Sequence, residues 1–198
     1  RDEIGKRGPA PDHLEMVEAH ARPDSKNWQD LVSVLAMCRM LRQIATVRSA
    51  RELVGVYARF GDFMRIDVQL ELQRLGDDAV AALIEAERHP APKIAHWAAR
   101  QLDTLGKAIP REAIQTTDPE ALADILRAYG HTRDPDAARL VISFANSERS
   151  QIREAARQAV VLMGEVANWQ LRDTYENVVG KKPPREWGWE RTARELFA

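Results

Sequence analysis

Residues 72–106 read LQRLGDDAVAALIEAERHPAPKIAHWAARQLDTLG, and this stretch decides the fold. It begins and ends with the same motif: an aliphatic residue, two variable residues, a large apolar residue and a small one. Between the two copies, apolar residues recur every three or four positions, as on one face of an α-helix. The segment His89-Pro-Ala-Pro92 interrupts this periodicity, because proline cannot continue a helix but can open one. The stretch therefore predicts two helices joined by a turn.

The motif recurs along the chain. Its five copies are Leu41-Arg-Gln-Ile-Ala45, Leu72-Gln-Arg-Leu-Gly76, Leu102-Asp-Thr-Leu-Gly106, Leu126-Arg-Ala-Tyr-Gly130 and Val160-Val-Leu-Met-Gly164. Each copy suits a helix end, since glycine readily adopts the left-handed conformation there. A gapless alignment of 76–106 with 134–164 also superimposes Ile84 on Ile142. A repeat of about 30 residues predicts stacked helix pairs.

The periodicity predicts an all-α chain of about 10–11 helices. They are expected at 12–21, 28–44, 48–60, 63–75, 78–88, 93–105, 118–130, 135–146, 150–164, 167–179 and 186–197. Residues 1–198 are expected to form one domain, with N-terminal helices in 1–44, core repeats in 45–164 and a C-terminal cap in 165–198. The pairs Asp118-Pro and Asp134-Pro predict capped helix starts. The segment Lys107–Thr117 is the expected irregular region.

Composition restricts the function classes. The 198 residues are 44% apolar and 30% charged, with a net charge of -1, which argues against a general affinity for nucleic acid. The single cysteine, Cys38, excludes a disulfide within the chain and is expected to be a small buried residue. It lies in the longest apolar stretch, 31–38, which is shorter than the roughly 20 residues that a membrane span needs. Because the chain begins at Arg1, it is expected to be either a processed protein or a fragment of a longer one, so the compartment stays open between the cytoplasm and, if an upstream signal was removed, the periplasm.

Residues 72–106 and 126–164 resemble the bacterial HEAT-like repeats of the phycobilisome-lyase type. The shared pattern is a helix ending in Leu-Gly, a turn with Asp, a helix rich in Ala and Leu, and a helix with an Ala-Ala pair. The resemblance covers about residues 41–164. It implies a right-handed α-α superhelix, or solenoid, whose second helices line a concave surface, and a role as an interaction scaffold. The sequence departs from the family in its shortened third unit and in lacking the usual charged residue near Trp97, where the family often has arginine.

The sequence contains no motif that predicts catalysis, a cofactor or a metal site. Its five histidines are scattered, and none is followed by the glutamate that HEAT-like iron hydroxylases use. The alternative function is a nucleic-acid-binding module or a DNA glycosylase of the HEAT-like class, which would use Trp97 beside His96, Arg100 and Asp103. Because Trp97 lies in an apolar stripe, a place in the core is the favoured interpretation.

The remaining hypothesis is a non-catalytic scaffold that binds a protein or peptide. On the second helices, two polar rows are expected to face a shared groove and to form the partner-binding site. One row contains His96, Arg100 and Asp103, and the other contains Arg153, Glu154, Arg157 and Gln158. A solvated charged face without a partner is the alternative for these rows. Trp187 and Trp189 are possible aromatic contacts, although capping of the last repeat explains them as well.

Overall fold

The computed structural model describes residues 28–198, which contain eleven α-helices, two short 3-10 helices and no β-strand. The α-helices are α1 (Trp28–Ile44), α2 (Val47–Phe60), α3 (Arg65–Leu75), α4 (Asp77–Ala86), α5 (Pro92–Thr104), α6 (Pro110–Ala113), α7 (Pro119–Gly130), α8 (Pro135–Ile142), α9 (Ser150–Met163), α10 (Glu165–Val179) and α11 (Trp189–Leu196). The 3-10 helices are Gly61–Phe63 and Ser143–Asn146. The all-α prediction is confirmed for this part of the chain. The predicted helix at 12–21 lies outside the described residues.

Local sequence signals place four of the helix starts. Proline occupies the first turn of α5, α6, α7 and α8, where its missing N–H breaks no hydrogen bond. The carboxylate of Asp118 accepts a hydrogen bond from the Glu120 N–H at 2.8 Å, and that of Asp134 accepts one from the Asp136 N–H at 2.9 Å. Both predicted caps are therefore confirmed. The irregular segment 107–117 contains only the four-residue helix α6.

The small residue at the end of the repeated motif has two different roles. Gly76, Gly106 and Gly164 have positive φ angles of 61°, 66° and 65°, as the motif requires. Ala45 also has a positive φ, 49°, despite its side chain. Gly130 is different: it remains helical, and a Cβ there would lie 2.9 Å from the Cα of Ala159 on α9. At this position, glycine permits close packing and does not serve to reverse the chain.

The helices contact one another as two layers. In one layer, α2, α4, α7 and α9 pack side by side, and α11 contacts α9 beyond them. In the other, α1 packs against α3, and α8 packs against α10 and α6. Both α7 and α9 are rich in buried alanines, including Ala123, Ala128, Ala155 and Ala159. Their size lets these two helices approach closely.

The gapless repeat alignment does not identify helices in equivalent positions. It equates α4 with α8 and α5 with α9. In the structure, α4 lies in the layer of α7 and α9, whereas α8 lies in the other layer, and α5 packs mainly against α4. The similarity between 76–106 and 134–164 therefore reflects the same helix-turn-helix pattern used in two different packing environments.

The C-terminal segment closes the layer at α9. Its helix α11 contacts α9 and α10, and the ring of Trp189 lies beside Gly164. Arg172 on α10 donates hydrogen bonds to the carbonyls of Pro183, Pro184 and Trp187, at 2.8, 3.1 and 3.1 Å. These bonds fix the loop that leads from α10 to α11.

Replacing Gly130 with alanine is expected to lower the free energy of unfolding by about 1–3 kcal/mol, because the new methyl group would collide with the α9 backbone. Gly55 in α2 provides the matched control. No atom lies within 4 Å of the position of its Cβ, so Gly55→Ala should raise the free energy of unfolding by about 0.5–1 kcal/mol. Urea denaturation followed by circular dichroism measures both changes. A Gly130→Ala variant as stable as the wild type would contradict the close packing of α7 on α9.

Candidate interaction face and cleft

The two polar rows predicted from the sequence lie on helices that are not main packing partners. His96, Arg100 and Asp103 are exposed on α5, which packs mainly against α4. The second row lies on α9, which packs mainly against α7. The structure therefore does not bring the two rows together on adjacent helices, and their role in binding stays a prediction.

Within the α9 row, Arg153 has a structural partner. Its guanidinium donates hydrogen bonds to the carbonyls of Ser147 at 2.7 Å and Glu148 at 3.3 Å. These contacts hold the turn before α9. Arg153 is thus committed to the local fold, while Glu154, Arg157 and Gln158 form a separate surface network.

That network begins with Glu154. Arg157 donates two hydrogen bonds to its carboxylate, at 2.7 and 2.8 Å, and the Gln158 amide donates a third at 2.8 Å. The hydrogen bonds from Arg157 are the main reason that the pKa of Glu154 lies below its usual value. The hydrogen bond from Gln158 and the charge of Arg157 lower it further. The side chain of Gln158 also accepts a 3.4 Å hydrogen bond from Arg127 on α7.

Further charge pairs lie on α7 and between α2 and α4. Arg127 pairs with Asp124 at 2.8 Å, and Arg51 on α2 makes a two-pronged ion pair with Glu85 on α4, both hydrogen bonds being 2.7 Å long. The hydrogen bond from Arg51 to Glu85 raises the pKa of Arg51, and the nearby charge of Asp124 raises it by a smaller amount. We call this surface the charged face. Its members are Arg51, Glu85, Asp124, Arg127, Glu154, Arg157 and Gln158.

Sequence analysis found three members of the charged face and missed four. Arg51, Glu85, Asp124 and Arg127 lie on α2, α4 and α7, helices that the repeat alignment did not assign to the layer of α9. One signal was present in the sequence: Asp124 and Arg127 are three residues apart, a spacing that lets side chains pair on a helix. The contacts between helices could not be found without the packing.

The charged face is bordered by acidic residues at the starts of α4 and α7. Asp78 lies in the first turn of α4, whose N-cap position is taken by Gly76. Burial raises the pKa of Asp78 above its usual value, and the nearby charges of Asp118, Asp77 and Asp124 raise it further. The electrostatic potential at this end of the charged face is therefore negative.

A polar cleft of about 470 Å³ lies beside the irregular segment. Its lining comes from the last turns of α4, α5 and α7 and from the loops that follow them. The lining residues are Ile84, Glu87, Arg88, Leu102, Lys107, Ala108, Pro110, Tyr129, Thr132 and Asp134. The short helix α6 begins at Pro110, one of the lining residues. Sequence analysis located the irregular segment but did not predict the cleft.

The other residues that the sequence singled out are parts of the core or of the cap. Trp97 is 1% exposed and stacks on Tyr57, with ring centroids 3.9 Å apart, which confirms its place in the core. Trp187 packs edge-on against Tyr175 at 5.7 Å, and Arg191 lies 4.7 Å above its ring. Trp189 packs against the core. These contacts stabilise the cap. A binding role for the two C-terminal tryptophans stays a prediction.

Neither a metal site, a membrane-spanning helix nor a known relative suggests a function for this part of the chain. Between Trp28 and Ala198, no three His, Cys, Asp or Glu side chains are grouped as a metal ion would require. No helix in this part of the chain is long and apolar enough to cross a membrane. No model of a known protein family matches the sequence, and no curated protein matches it.

Cys38 provides a chemical test of the core between α1 and α3. It is 1% exposed, and burial, with the nearby charges of Glu71 and Asp67, raises the pKa of its thiol from 9.0 to about 12. Because the thiolate is the reactive form, the native protein at pH 8 is expected to react with Ellman's reagent at least about 100-fold more slowly than the urea-unfolded protein. As the only cysteine, it gives an unambiguous signal. Equal rates in the two states would contradict the burial of Cys38.

Proposed function

We propose that the protein is a non-catalytic interaction scaffold or adaptor that binds another protein or a peptide across the charged face. In this proposal the chain is a right-handed solenoid of HEAT-like helix pairs. The side-by-side packing of α2, α4, α7 and α9 supports it, because stacked helix pairs place one helix of each pair in such a layer. Stacked repeats typically bind partners over extended surfaces.

One observation carries the choice of site: the charged face is ordered by polar contacts that link α2 to α4 and α7 to α9. Isolated surface ion pairs contribute little to stability, with a median near 0–1 kcal/mol. A set of pairs extending over four helices is thus better explained by recognition than by folding. Complementary charges contribute mainly to specificity and to the rate of association.

The same pairs favour a protein partner over nucleic acid. The three arginines of the charged face each have a carboxylate beside them: Glu85 for Arg51, Asp124 for Arg127 and Glu154 for Arg157. Phosphate binding would have to compete with these carboxylates and with the acidic residues around Asp78. A partner that carries both signs of charge fits such a surface. The nucleic-acid alternative also loses its aromatic side chain, since Trp97 is buried.

A displayed library of random peptides, selected on the immobilised protein, tests the proposal without a known partner. The double variant Arg127→Glu/Arg157→Glu is expected to bind the selected peptides at least about tenfold more weakly by fluorescence anisotropy, since reversing two charges puts like charges opposite the partner's, and tenfold corresponds to about 1.4 kcal/mol. The matched control is Arg139→Glu/Arg185→Glu, which reverses two exposed arginines on α8 and in the loop after α10. Its affinity should equal that of the wild type.

Circular dichroism establishes that both double variants are folded, as expected for changes to exposed pairs. Selected peptides that bind the two double variants equally well would contradict the charged face as the binding site. Titration of short duplex DNA at low and moderate salt addresses the alternative. Tight, salt-dependent binding that the first double variant abolishes would replace the protein partner with nucleic acid.

A further inference from the structure

A stripe of exposed apolar side chains runs along α3. Phe63, at the end of the first 3-10 helix, is 65% exposed, Ile66 is 66% exposed and Leu70 is 44% exposed. Because these residues are three and four positions apart, their side chains lie on one side of the helix. Val68 and Leu72 point to the opposite side and are buried. We call Phe63, Ile66 and Leu70 the α3 stripe.

Cationic side chains surround the start of the α3 stripe. Lys93 and Arg65 pair with Asp62 at 2.8 and 3.8 Å, and all three side chains are well exposed. The hydrogen bond from Lys93 lowers the pKa of Asp62, and the charges of Lys93, Arg65 and Arg100 lower it further. Three cations therefore lie near one carboxylate, and the electrostatic potential beside the stripe is positive.

The other end of α3 also has a surplus of cations. Arg42 and Arg74 share the buried carboxylate of Glu71, at 2.7 and 3.0 Å. The remaining carboxylate of α3, Asp67, and Arg39 of α1 line the same small cavity between the two helices. Both ends of the α3 stripe therefore have more cations than carboxylates.

The exposed side of α10 has the opposite charge. Trp169 is 66% exposed, Glu165 and Asp173 lie one turn before and after it, and Glu176 lies at the next turn. All three carboxylates are exposed, and spacings of three and four residues place the four side chains on one side of the helix. Leu171 is buried on the opposite side. We call Glu165, Trp169, Asp173 and Glu176 the α10 stripe.

Two cations near the α10 stripe leave it acidic. Arg172 is directed to carbonyls of the loop before α11, and Lys182 lies 3.8 Å from Glu176. Glu165 and Asp173, on either side of Trp169, make no ion pair with another residue between Trp28 and Ala198. The centre of the stripe is thus an aromatic ring between two carboxylates that are open to a cationic partner.

Both stripes lie on the outer side of the layer that contains α1, α3, α8 and α10. The helices α3 and α10 contact α2 and α9 of the other layer. Since the buried side of each helix faces its packing partners, the two stripes face away from that layer. The charged face lies on α2, α4, α7 and α9, so the stripes are separate from it.

We propose that the α3 stripe of one copy of the protein binds the α10 stripe of a second copy. Trp169 packs on the apolar side chains of the α3 stripe, and the carboxylates beside it pair with the surrounding cations. The apolar part of the α3 stripe is about 10 Å long and the α10 stripe about 16 Å, so the carboxylates reach the cations that flank the apolar residues.

A second copy is the occupant that the structure supports, because the two stripes complement each other in charge and both are apolar at the centre. Within one chain they do not cover each other, since Phe63, Ile66 and Trp169 are each about two-thirds exposed. Exposed apolar side chains grouped in this way mark interaction surfaces. The contact does not rest on the proposed function.

Analytical ultracentrifugation of the whole protein tests the proposal. We expect the average mass to rise toward at least twice the mass of the chain between about 10 μM and 1 mM, because small interfaces associate weakly. The double variants Arg65→Glu/Arg100→Glu and Asp173→Arg/Glu176→Arg should each weaken this association by about tenfold or more, since like charges then face each other.

Mixing the two double variants separates a direct contact from an indirect effect. In the mixture, an acidic α3 stripe meets a basic α10 stripe, so association should return, and a chain with all four substitutions should also associate. The matched control is Arg149→Glu/Arg194→Glu, which reverses two exposed arginines outside both stripes and should associate like the wild type. Circular dichroism establishes that each variant is folded.

The apolar part of the contact has its own variant. Trp169→Ala should weaken association by about tenfold or more, because aromatic side chains are frequent hot spots of interfaces. Ile109→Ala provides the control, since Ile109 is 51% exposed and lies outside both stripes. It should leave the association unchanged.

Three results would overturn the self-association: a wild type that stays monomeric at every concentration, stripe variants that associate like the wild type, or a loss of association that mixing the variants does not restore. In the first case, the stripes would have to bind a different protein or another part of this chain. Because the proposed function is tested with variants of Arg127 and Arg157 on the other layer, a failure here leaves it standing.

Discussion

The close packing of α7 on α9 is the constraint on which the rest of the structure depends. Gly130 and Ala159 bring the two backbones to a distance that a single methyl group would prevent. Small residues are needed on both sides of this interface, since the interior is packed too densely to absorb added volume. The short distance between the helices also brings Arg127 within reach of Gln158. The charged face is therefore a consequence of the alanine-rich core beneath it.

Local features of the fold could be predicted from the sequence, because each depends on a few adjacent residues. The cap and proline pairs at Asp118 and Asp134 fix helix starts through the backbone groups next to them. Glycine at 76, 106 and 164 ends helices by its own conformational freedom. Gly130 has the same sequence motif but a different role, which only the neighbouring helix determines. The solenoid and its handedness remain proposals, because they concern the relation between units.

The layer of each helix could not be predicted, because apolar periodicity specifies a buried face without specifying its partner. Both α4 and α8 have such a face, and the alignment equated them, yet they pack in different layers. The candidate site depends on this choice. Glu154, Arg157 and Gln158 were found because they share one helix, whereas Arg51 and Glu85 meet across two helices. The cleft draws its lining from three separate segments, so no single stretch of sequence predicts it.

The charged face shows how exposed ion pairs can prepare a surface for binding. On the charged face, each arginine is oriented by a neighbouring carboxylate, so a partner meets side chains that have already lost conformational freedom. Such preorganisation lowers the entropy cost of association, while the equal numbers of both charges limit attraction to any single class of polyion.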